Sequence, residues 1–334
     1  MPARLKDGPG SAAIGIGLNA AIVGVLEEEP QILVVRGQAG EDSIGLPFGP
    51  FSPREHRTFE IGLRRWVREQ AELELGYVEQ LYTFGDRGRH VEMQDTGPHV
   101  VSVGYLALAP YGAELRAPGV HWSPWYIHFP WEDWRNGKPA MLAREIEPRL
   151  KRWAREPMRP GDRERPLTRT ERLRICFGMN GGSWDEEKVL DRYELLYEAG
   201  LVAEARRDGR KAAGAWDSLP LLGRPMLHDH RRVLATAIGR LRGKLKYRPV
   251  IFELLPEAFT LFDLQKTVEA ISGHHLHKQN FRRLVETAGL VEPTGDVSTL
   301  TGGRPAKLFR FRREVLLERP APGVRVKAGR SGGA

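Results

Sequence analysis

The order of predicted strands and helices in the first third of the chain most strongly limits the folds open to it. Two apolar runs flank the acidic turn Glu27–Pro30, which predicts a β-hairpin. After a turn-rich segment at 46–53, apolar side chains recur at spacings of four and three residues, which predicts a helix. The strands are predicted at 18–37, 78–84 and 100–109, and the helix at 58–75. Strand, strand, loop, helix, strand, strand is the order of a mixed α/β sandwich.

The last third of the chain predicts three helices followed by a hairpin. Thr260 and Asp263 form a capping box at the start of the second helix, and Gly289 ends the third. The helices are predicted at 228–245, 260–271 and 278–288, and the hairpin strands at 290–292 and 308–311. This order is typical of a winged helix-turn-helix.

Charge is distributed unevenly along the chain. The net charge is +8, but residues 226–334 contain 20 basic and 10 acidic residues, so residues 1–225 carry −2. A basic excess confined to one end is expected when one domain binds a polyanion. The single cysteine, Cys176, excludes an intramolecular disulfide and thiolate zinc frameworks, which fits the reducing cytoplasm. The apolar stretch 12–26 is too short to span a membrane, so no membrane association is expected.

The middle of the chain carries less chemical information. Residues 120–134 contain four of the eight tryptophans, which favours aromatic side chains anchored in a core over a platform for stacking bases. Residues 136–225 predict a helical insertion, and residues 315–334 are expected to be disordered. The histidines at 228, 230, 274, 275 and 277 lack carboxylates or thiolates at helpful spacing, so no metal site is predicted.

Two separate blocks resemble one protein family. LPFGPFSPREHRTFEIGLRRWVREQAELELGYVEQLYTFGDRGR (46–89) and VVSVGYLALAP (100–110) are similar to the Nudix domain of the Nudix-related transcriptional regulators of bacterial NAD metabolism. LLPEAFTLFDLQKTVEAI, NFRRLVETAGLVEPTG and GGRPAKLFRF resemble their winged helix. The resemblance covers residues 18–110 and 226–312, about half of the chain. It implies an α+β protein in which a Nudix α/β/α sandwich with a helical insertion precedes a winged helix-turn-helix. The implied divisions are a Nudix-like effector domain at 1–135, an insertion at 136–225, a DNA-binding domain at 226–314 and a tail at 315–334.

The predicted catalytic helix departs from an active Nudix box. An active box places three carboxylates at helix positions i, i+3 and i+4, where they hold Mg²⁺ against a pyrophosphate. Gly49 and Glu55 keep the opening spacing of the box. Two registers are possible: Arg65 as the box arginine gives Trp66, Glu69 and Gln70, whereas Gly76 as the box glycine gives Gln70, Leu73 and Glu74. Each register retains one carboxylate, so we expect no hydrolysis by the usual route and no required cofactor.

The same resemblance implies two binding surfaces. The effector would be a nucleotide (ADP-ribose, NAD or ATP), and the expected contact residues are Phe48, Gly49, Glu55, Glu69, Gln70, Asp86, Arg87 and Arg89. For the last three, a salt-bridged turn is an equally good interpretation. Arginine, asparagine and glutamine near the start of a recognition helix read base edges, and a wing contacts phosphates. The expected DNA-binding residues are Lys278, Gln279, Asn280, Arg282, Arg283, Thr301, Arg304 and Lys307.

Three functions follow as hypotheses. The first is a cytoplasmic, homodimeric repressor of NAD biosynthesis or salvage genes that reads a palindromic operator in double-stranded DNA and senses a nucleotide without hydrolysing it. The alternative is an active Mg²⁺-dependent Nudix hydrolase of nucleoside diphosphate derivatives, in which Glu55, Glu69, Glu72 and Glu74 gather the metal. The third is sequence-tolerant binding of single strands by the tryptophan-rich segment.

Overall fold

The computed structural model describes residues 14–37, 43–86, 99–109, 112–157, 166–216, 221–299, 305–318 and 323–324. Seven strands in these ranges form one mixed sheet around the long strand β1, in the order β3-β2-β1-β6-β5, with β4 paired to β1 and β7 to β2. Only β1 and β6 run parallel; the other pairs are antiparallel. The strands are β1 (Ile14–Leu26), β2 (Glu29–Arg36), β3 (Ile44–Gly45), β4 (Phe48–Pro50), β5 (Val78–Phe84), β6 (His99–Leu108) and β7 (Val120–Pro124).

The predicted hairpin is present. Glu27 and Glu28 both adopt positive φ angles, of 49° and 63°, and join β1 to β2 in a two-residue turn. Positive φ at both central residues gives the turn the twist that antiparallel strands require.

Both faces of the sheet are covered, as the sandwich predicts. Alternate side chains of β1 point to opposite faces, so Leu18 and Ile22 belong to one core and Ala21 and Val23 to the other. Helix α1 (Phe59–Ala71) covers the first face with Leu63, Val67 and Ala71. Helix α6 (His230–Leu245) lies on the opposite core, to which it contributes the predicted stripe Val233, Leu234, Ile238, Leu241 and Leu245.

Helix α1 is shorter than predicted at its carboxyl end. Thr58 caps its start by accepting a hydrogen bond from the Ile61 N–H at 3.2 Å. Glu72 adopts a left-handed conformation and its N–H bonds to the Arg68 carbonyl, which ends the helix. The sequence predicted a longer helix because Leu73 and Leu75, which follow the helix end, are also buried and extend the apolar pattern to residue 75.

The C-terminal region folds as a winged helix-turn-helix. A short strand that the sequence did not indicate, β8 (Phe259–Thr260), precedes helix α7 (Leu261–Ser272) and helix α8 (Lys278–Ala288), which are followed by the wing strands β9 (Val291–Ser298) and β10 (Ala306–Phe311). Thr260 and Asp263 form the predicted capping box, and Gly289 ends α8 in a left-handed conformation. Phe281 and Val285 anchor α8 in the core.

The described parts of the insertion contain four α-helices, α2 (Glu147–Arg155), α3 (Arg169–Phe177), α4 (Val189–Glu198) and α5 (Ala203–Arg207). The domain boundaries predicted at residues 136 and 226 remain a prediction. The insertion packs against the segments on both sides of it rather than forming a separate unit. Helix α6 contacts α4, strands of the sheet and α7, and all of them share one core. The helix also begins two residues later than predicted, because His228 has a φ of +47° and cannot extend it.

A buried ionic cluster joins the insertion to the winged helix. The Glu132 carboxylate is fully buried between Arg192 of α4 and Arg242 of α6. Arg242 also donates to the Ile271 carbonyl at the end of α7, at 3.0 Å. Gly273 ends α7 with a φ of +75°, and a side chain there would meet the Glu132 carbonyl, 2.6 Å from its Cβ. These contacts fix the end of α7 against the rest of the molecule.

Of the tail predicted to be disordered, 315–334, the structure describes residues 315–318 and 323–324, and these are ordered; the rest lies outside the described residues. Val315–Glu318 form a short helix, α9, and Val315 is buried. Val324 is buried as well, and its N–H donates to the Leu245 carbonyl at the end of α6, at 2.7 Å. Apolar burial therefore orders these residues despite the Gly- and Pro-rich composition around them. No helix among the described residues is both long and apolar enough to cross a membrane.

Candidate functional site

The site builds on the contact between α1 and β4. The Trp66 Nε1–H donates to the Pro50 carbonyl at 2.9 Å. The Gln70 amide pairs with the Phe48 backbone in both directions: its Nε2 donates to the Phe48 carbonyl at 2.6 Å, and its Oε1 accepts from the Phe48 N–H at 3.2 Å. Gly49 lies against the Trp66 ring, where a Cβ would come within 2.3 Å of ring atoms. Two neutral side chains therefore hold this loop on the helix.

These contacts decide between the two registers of the box. In the arginine register, Trp66, Glu69 and Gln70 stand at i, i+3 and i+4 on one face of α1, and two of them contact β4. In the glycine register, Leu73 and Glu74 lie beyond the end of the helix at Ala71. The structure therefore places Trp66 and Gln70 where an active box has carboxylates.

The remaining carboxylates pair with arginines of the same helix. Arg65 donates to Glu69 at 2.7 Å and to Glu55 at 2.9 Å, so both predicted carboxylates meet on one guanidinium. Hydrogen bonding to Glu69 contributes most to raising the pKa of Arg65 above its usual value. Glu74 pairs with Arg68 at 2.7 Å, whereas Glu72 is exposed at the helix end.

This arrangement does not fit a magnesium ion. The polar atoms of Trp66 and Gln70 are already bonded to backbone groups, and a cation already occupies the space between Glu55 and Glu69. Among the described residues, no three His, Cys, Asp or Glu side chains cluster closely enough to hold a metal ion. Hard divalent cations require several oxygen ligands, which the box positions do not supply.

Sequence reasoning missed the histidines that close the site from the α6 side. The Leu46 N–H donates to His230 Nδ1 at 3.0 Å, so the other ring nitrogen carries the proton in the neutral imidazole. Phe48 is 38% exposed, and its ring packs against His228 and His230 with centroids 5.4 Å and 5.1 Å away. The Leu227 N–H also donates to the Ile44 carbonyl at 2.8 Å. The loop that carries Phe48 and Gly49 is thus held by α1 on one side and by the start of α6 on the other.

The segment that ends at Asp86, after β5, also contacts α6. Arg232 pairs with Asp86 at 2.5 Å, and the same guanidinium pairs with Glu194 of α4 and with Asp229. Asp86 thus forms an ion pair with α6, and its contact with the effector stays a prediction. Arg87 and Arg89 lie outside the described residues.

The surface of α8 fits a polyanion. The predicted side chains Lys278, Gln279, Asn280, Arg282 and Arg283 are all exposed, and none of them has a hydrogen-bonding or ion-pair partner within the described ranges. Lys307 of the wing is exposed as well, whereas Thr301 and Arg304 lie outside the described residues.

The tryptophan-rich segment does not present a stacking platform. Trp125 and Trp131 are fully buried, and the Trp134 ring packs against Trp184 at a centroid distance of 4.6 Å and an interplanar angle of 42°. The preferred interpretation of this segment as part of the core is therefore the one that the packing supports.

Known proteins were found that are similar to the winged helix in sequence and to most of the chain in fold. Residues 251–311 match the family described as the NrtR DNA-binding winged helix domain. The ADPR responsive transcriptional repressor NtrR of Acinetobacter baylyi is 45% identical over 83 residues, which are 25% of this chain and 33% of that protein. This alignment thus spans about a third of the curated relative.

Solved structures extend the similarity of fold over most of the chain. Shewanella oneidensis NrtR, in a crystal structure with a 27mer DNA, matches with a TM-score of 0.51 and 20% identity over 90% of this chain and 94% of that chain. A MutT/nudix family protein from Enterococcus faecalis matches with a TM-score of 0.50 and 15% identity over 92% and 90% of the two chains. The predicted combination of a Nudix sandwich and a winged helix is confirmed. Residues 251–311 therefore match the NrtR winged helix family, and the chain as a whole has the fold of the solved Shewanella oneidensis NrtR.

Proposed function

We propose that this chain is a cytoplasmic transcriptional repressor whose winged helix binds operator DNA and whose Nudix-like domain senses ADP-ribose. Two features together carry the proposal. The winged helix has five polar and cationic side chains on α8 that lack partners among the described residues, and two of the three metal positions of the Nudix box hold the neutral side chains Trp66 and Gln70. Arginine, asparagine and glutamine at the start of a recognition helix are the side chains that read base edges. The target genes would be those of NAD biosynthesis or salvage, and the operator a palindrome read by a homodimer.

Non-catalytic recognition follows from the chemistry of the box. Without several carboxylates to hold Mg²⁺, the site lacks the ion that would polarise a pyrophosphate. The partly exposed Phe48 ring, which packs on His228 and on the buried His230, still offers an aromatic surface beside the box. A sensor needs this combination, because it must recognise its nucleotide without consuming it. ADP-ribose is the preferred effector over NAD and ATP because the Acinetobacter relative is described as ADPR responsive.

Helix α6 supplies the route from effector to DNA. At one end, His230 and Arg232 contact the loop and turn of the sensor domain. At the other end, Arg242 contacts the last turn of α7, next to the turn that leads into α8. Ligand binding that moves the Phe48 loop would therefore displace α6 and change the geometry of the two recognition helices. ADP-ribose can shift the protein from the DNA-binding geometry to another one only if its affinity for the two geometries differs. A hundredfold change in DNA affinity corresponds to about 2.7 kcal/mol of coupling.

A binding assay on promoter fragments of NAD genes tests the proposal. Wild-type protein should retard one of these duplexes more strongly than a scrambled duplex, and ADP-ribose should release it. Arg282→Ala and Arg283→Ala should each weaken operator binding by ~1 to 3 kcal/mol and leave ADP-ribose binding unchanged. Equal binding to all duplexes, or loss of both functions in these variants, would contradict the proposal.

The hydrolase alternative rests on Glu55 and Glu69, which the structure brings together, although around Arg65 rather than around open space. Incubation with ADP-ribose and Mg²⁺ separates the two functions. Turnover of order 1 s⁻¹ that Glu69→Gln abolishes would favour the hydrolase, whereas the repressor hypothesis expects intact ADP-ribose.

A further inference from the structure

The helical insertion carries a cationic surface that the winged helix does not account for. Lys151 and Arg155 are exposed one turn apart on α2, and Arg144 is exposed in the π-helical turn, Leu142–Ile146, that leads into it. None of the three has an ion-pair partner within the described ranges. Arg152, beside them, stacks on the Trp216 ring at 5.1 Å.

The acidic residues of this segment do not neutralise that surface. Glu145 pairs with Arg149 at 2.6 Å, and Glu147 pairs with Lys138 at 2.6 Å. Each of these carboxylates thus has its own cation, and within the described ranges no carboxylate pairs with Arg144, Lys151 or Arg155.

The insertion starts beside the reading helix. The Trp134 N–H donates to the Gly273 carbonyl at 2.8 Å, and its ring packs against His274 in the turn between α7 and α8. Residues 135–141 then connect Trp134 to the π-helical turn. Seven extended residues span at most ~25 Å, about the length of seven base pairs of duplex. The cationic surface therefore begins within a short distance of the helix that would lie in the major groove.

We infer that the cationic surface formed by Arg144 of the π-helical turn and by Lys151 and Arg155 of α2 is a second contact to the duplex, one that binds phosphates flanking the sequence read by α8. This inference rests on the proposed function of the winged helix. Phosphate contacts of this kind add affinity and salt dependence but carry no sequence information.

An anionic membrane is the competing partner for a cationic helix. Helices that bind at a membrane surface insert an apolar face between the lipids. The apolar face of α2 is not available for insertion, because Leu150 and Trp153 are buried in the core. A rod of regularly spaced phosphates fits the observed side chains better.

The test compares two charge-matched variants of the full-length protein. Lys151→Gln/Arg155→Gln removes two charges from α2, and Arg54→Gln/Arg57→Gln removes two exposed charges from the segment before α1. Fluorescence anisotropy measures the affinity of each variant for a labelled duplex of scrambled sequence at several salt concentrations. The duplex is about 40 base pairs long, so that flanking phosphates are present. The α2 variant should lower the slope of log K against log salt by about 1.8 per protomer and weaken binding at ~0.1 M salt about tenfold or more. The control variant should leave both values unchanged, and equal melting curves exclude a folding defect.

Three results would overturn the inference. The first is an unchanged salt slope in the α2 variant, although Arg282→Ala/Arg283→Ala weakens duplex binding. This result would remove the second contact and leave the proposed function of the winged helix intact. The second is an equal loss in the control variant, which would reduce the effect to net charge. The third is loss of binding to vesicles containing phosphatidylserine with duplex binding preserved, which would assign the surface to a membrane. Absence of duplex binding by the wild-type protein would instead refute the proposed function together with the inference.

Discussion

Replacing Glu132 by glutamine tests whether the insertion, α6 and the winged helix are held together by their buried ionic cluster. The carboxylate accepts from Arg192 at 2.6 Å and 2.7 Å and from Arg242 at 2.9 Å, and all three side chains are fully buried. Burial alone would raise the pKa of Glu132, but the two guanidinium groups outweigh it and hold that pKa below its usual value. Glutamine keeps the size of the side chain and leaves two buried cations without their anion.

The expected cost is large compared with the stability of a domain. Removing one partner of a buried ion pair costs about 3 to 5 kcal/mol, out of a total of about 5 to 15 kcal/mol. Glu114→Gln is the matched control, because its pair with Arg116 is more than three-quarters exposed on both sides and such pairs contribute about 0 to 1 kcal/mol. With a urea m-value of about 3 kcal/mol/M, Glu132→Gln should lower the unfolding midpoint by about 1 to 1.7 M.

The assay is equilibrium unfolding in urea at pH 7, followed by circular dichroism for both variants and the wild type. A loss of stability in Glu132→Gln no greater than that in Glu114→Gln would refute the reasoning. It would mean that apolar packing, and not the ionic cluster, holds α7 against the rest of the protein.

Three further outcomes are expected. Arg232→Gln should leave the affinity for DNA alone and the affinity for ADP-ribose alone unchanged. In a titration of the DNA complex with ADP-ribose, it should reduce a hundredfold loss of DNA affinity to less than tenfold, which corresponds to more than ~1.4 kcal/mol of lost coupling. Burial lowers the pKa of His128 to about 4, so between that value and its unfolded pKa of 6.5 only the unfolded chain takes up the proton. The free energy of unfolding should therefore fall by about 3 kcal/mol from this residue as pH drops from 6.5 to 4, and His128→Gln should flatten that part of the pH profile. Burial raises the pKa of the Cys176 thiol to about 11, so Ellman's reagent at pH 8 should label it only after unfolding, and fast labelling of native protein would contradict its buried position.

The sequence predicted those elements whose signals are local. The capping box of Thr260 and Asp263, the end of α8 at Gly289 and the bounds of β5 depend on residues within a few positions of each other, and the structure reproduces them. Strand β7 was hidden in the tryptophan-rich segment because it exists only through pairing with β2, which lies nearly 90 residues earlier.

The site itself was predictable in composition but not in geometry. Loss of the box carboxylates could be seen from spacing alone, but the bonds of Trp66 and Gln70 to β4 and the meeting of Glu55 and Glu69 on Arg65 could not. The contact of His230 with Leu46 joins residues 184 positions apart, and no local pattern encodes it.

The most direct test of the central claim is one time course. A preformed complex of the protein with promoter DNA receives ADP-ribose and Mg²⁺, and anisotropy of the labelled DNA is followed for several hours. Our account predicts prompt release that persists, because the sensor binds the nucleotide and leaves it intact. Release that reverses as the nucleotide is consumed would reveal a hydrolase, and no release at all would show that the Nudix-like domain does not control DNA binding through ADP-ribose.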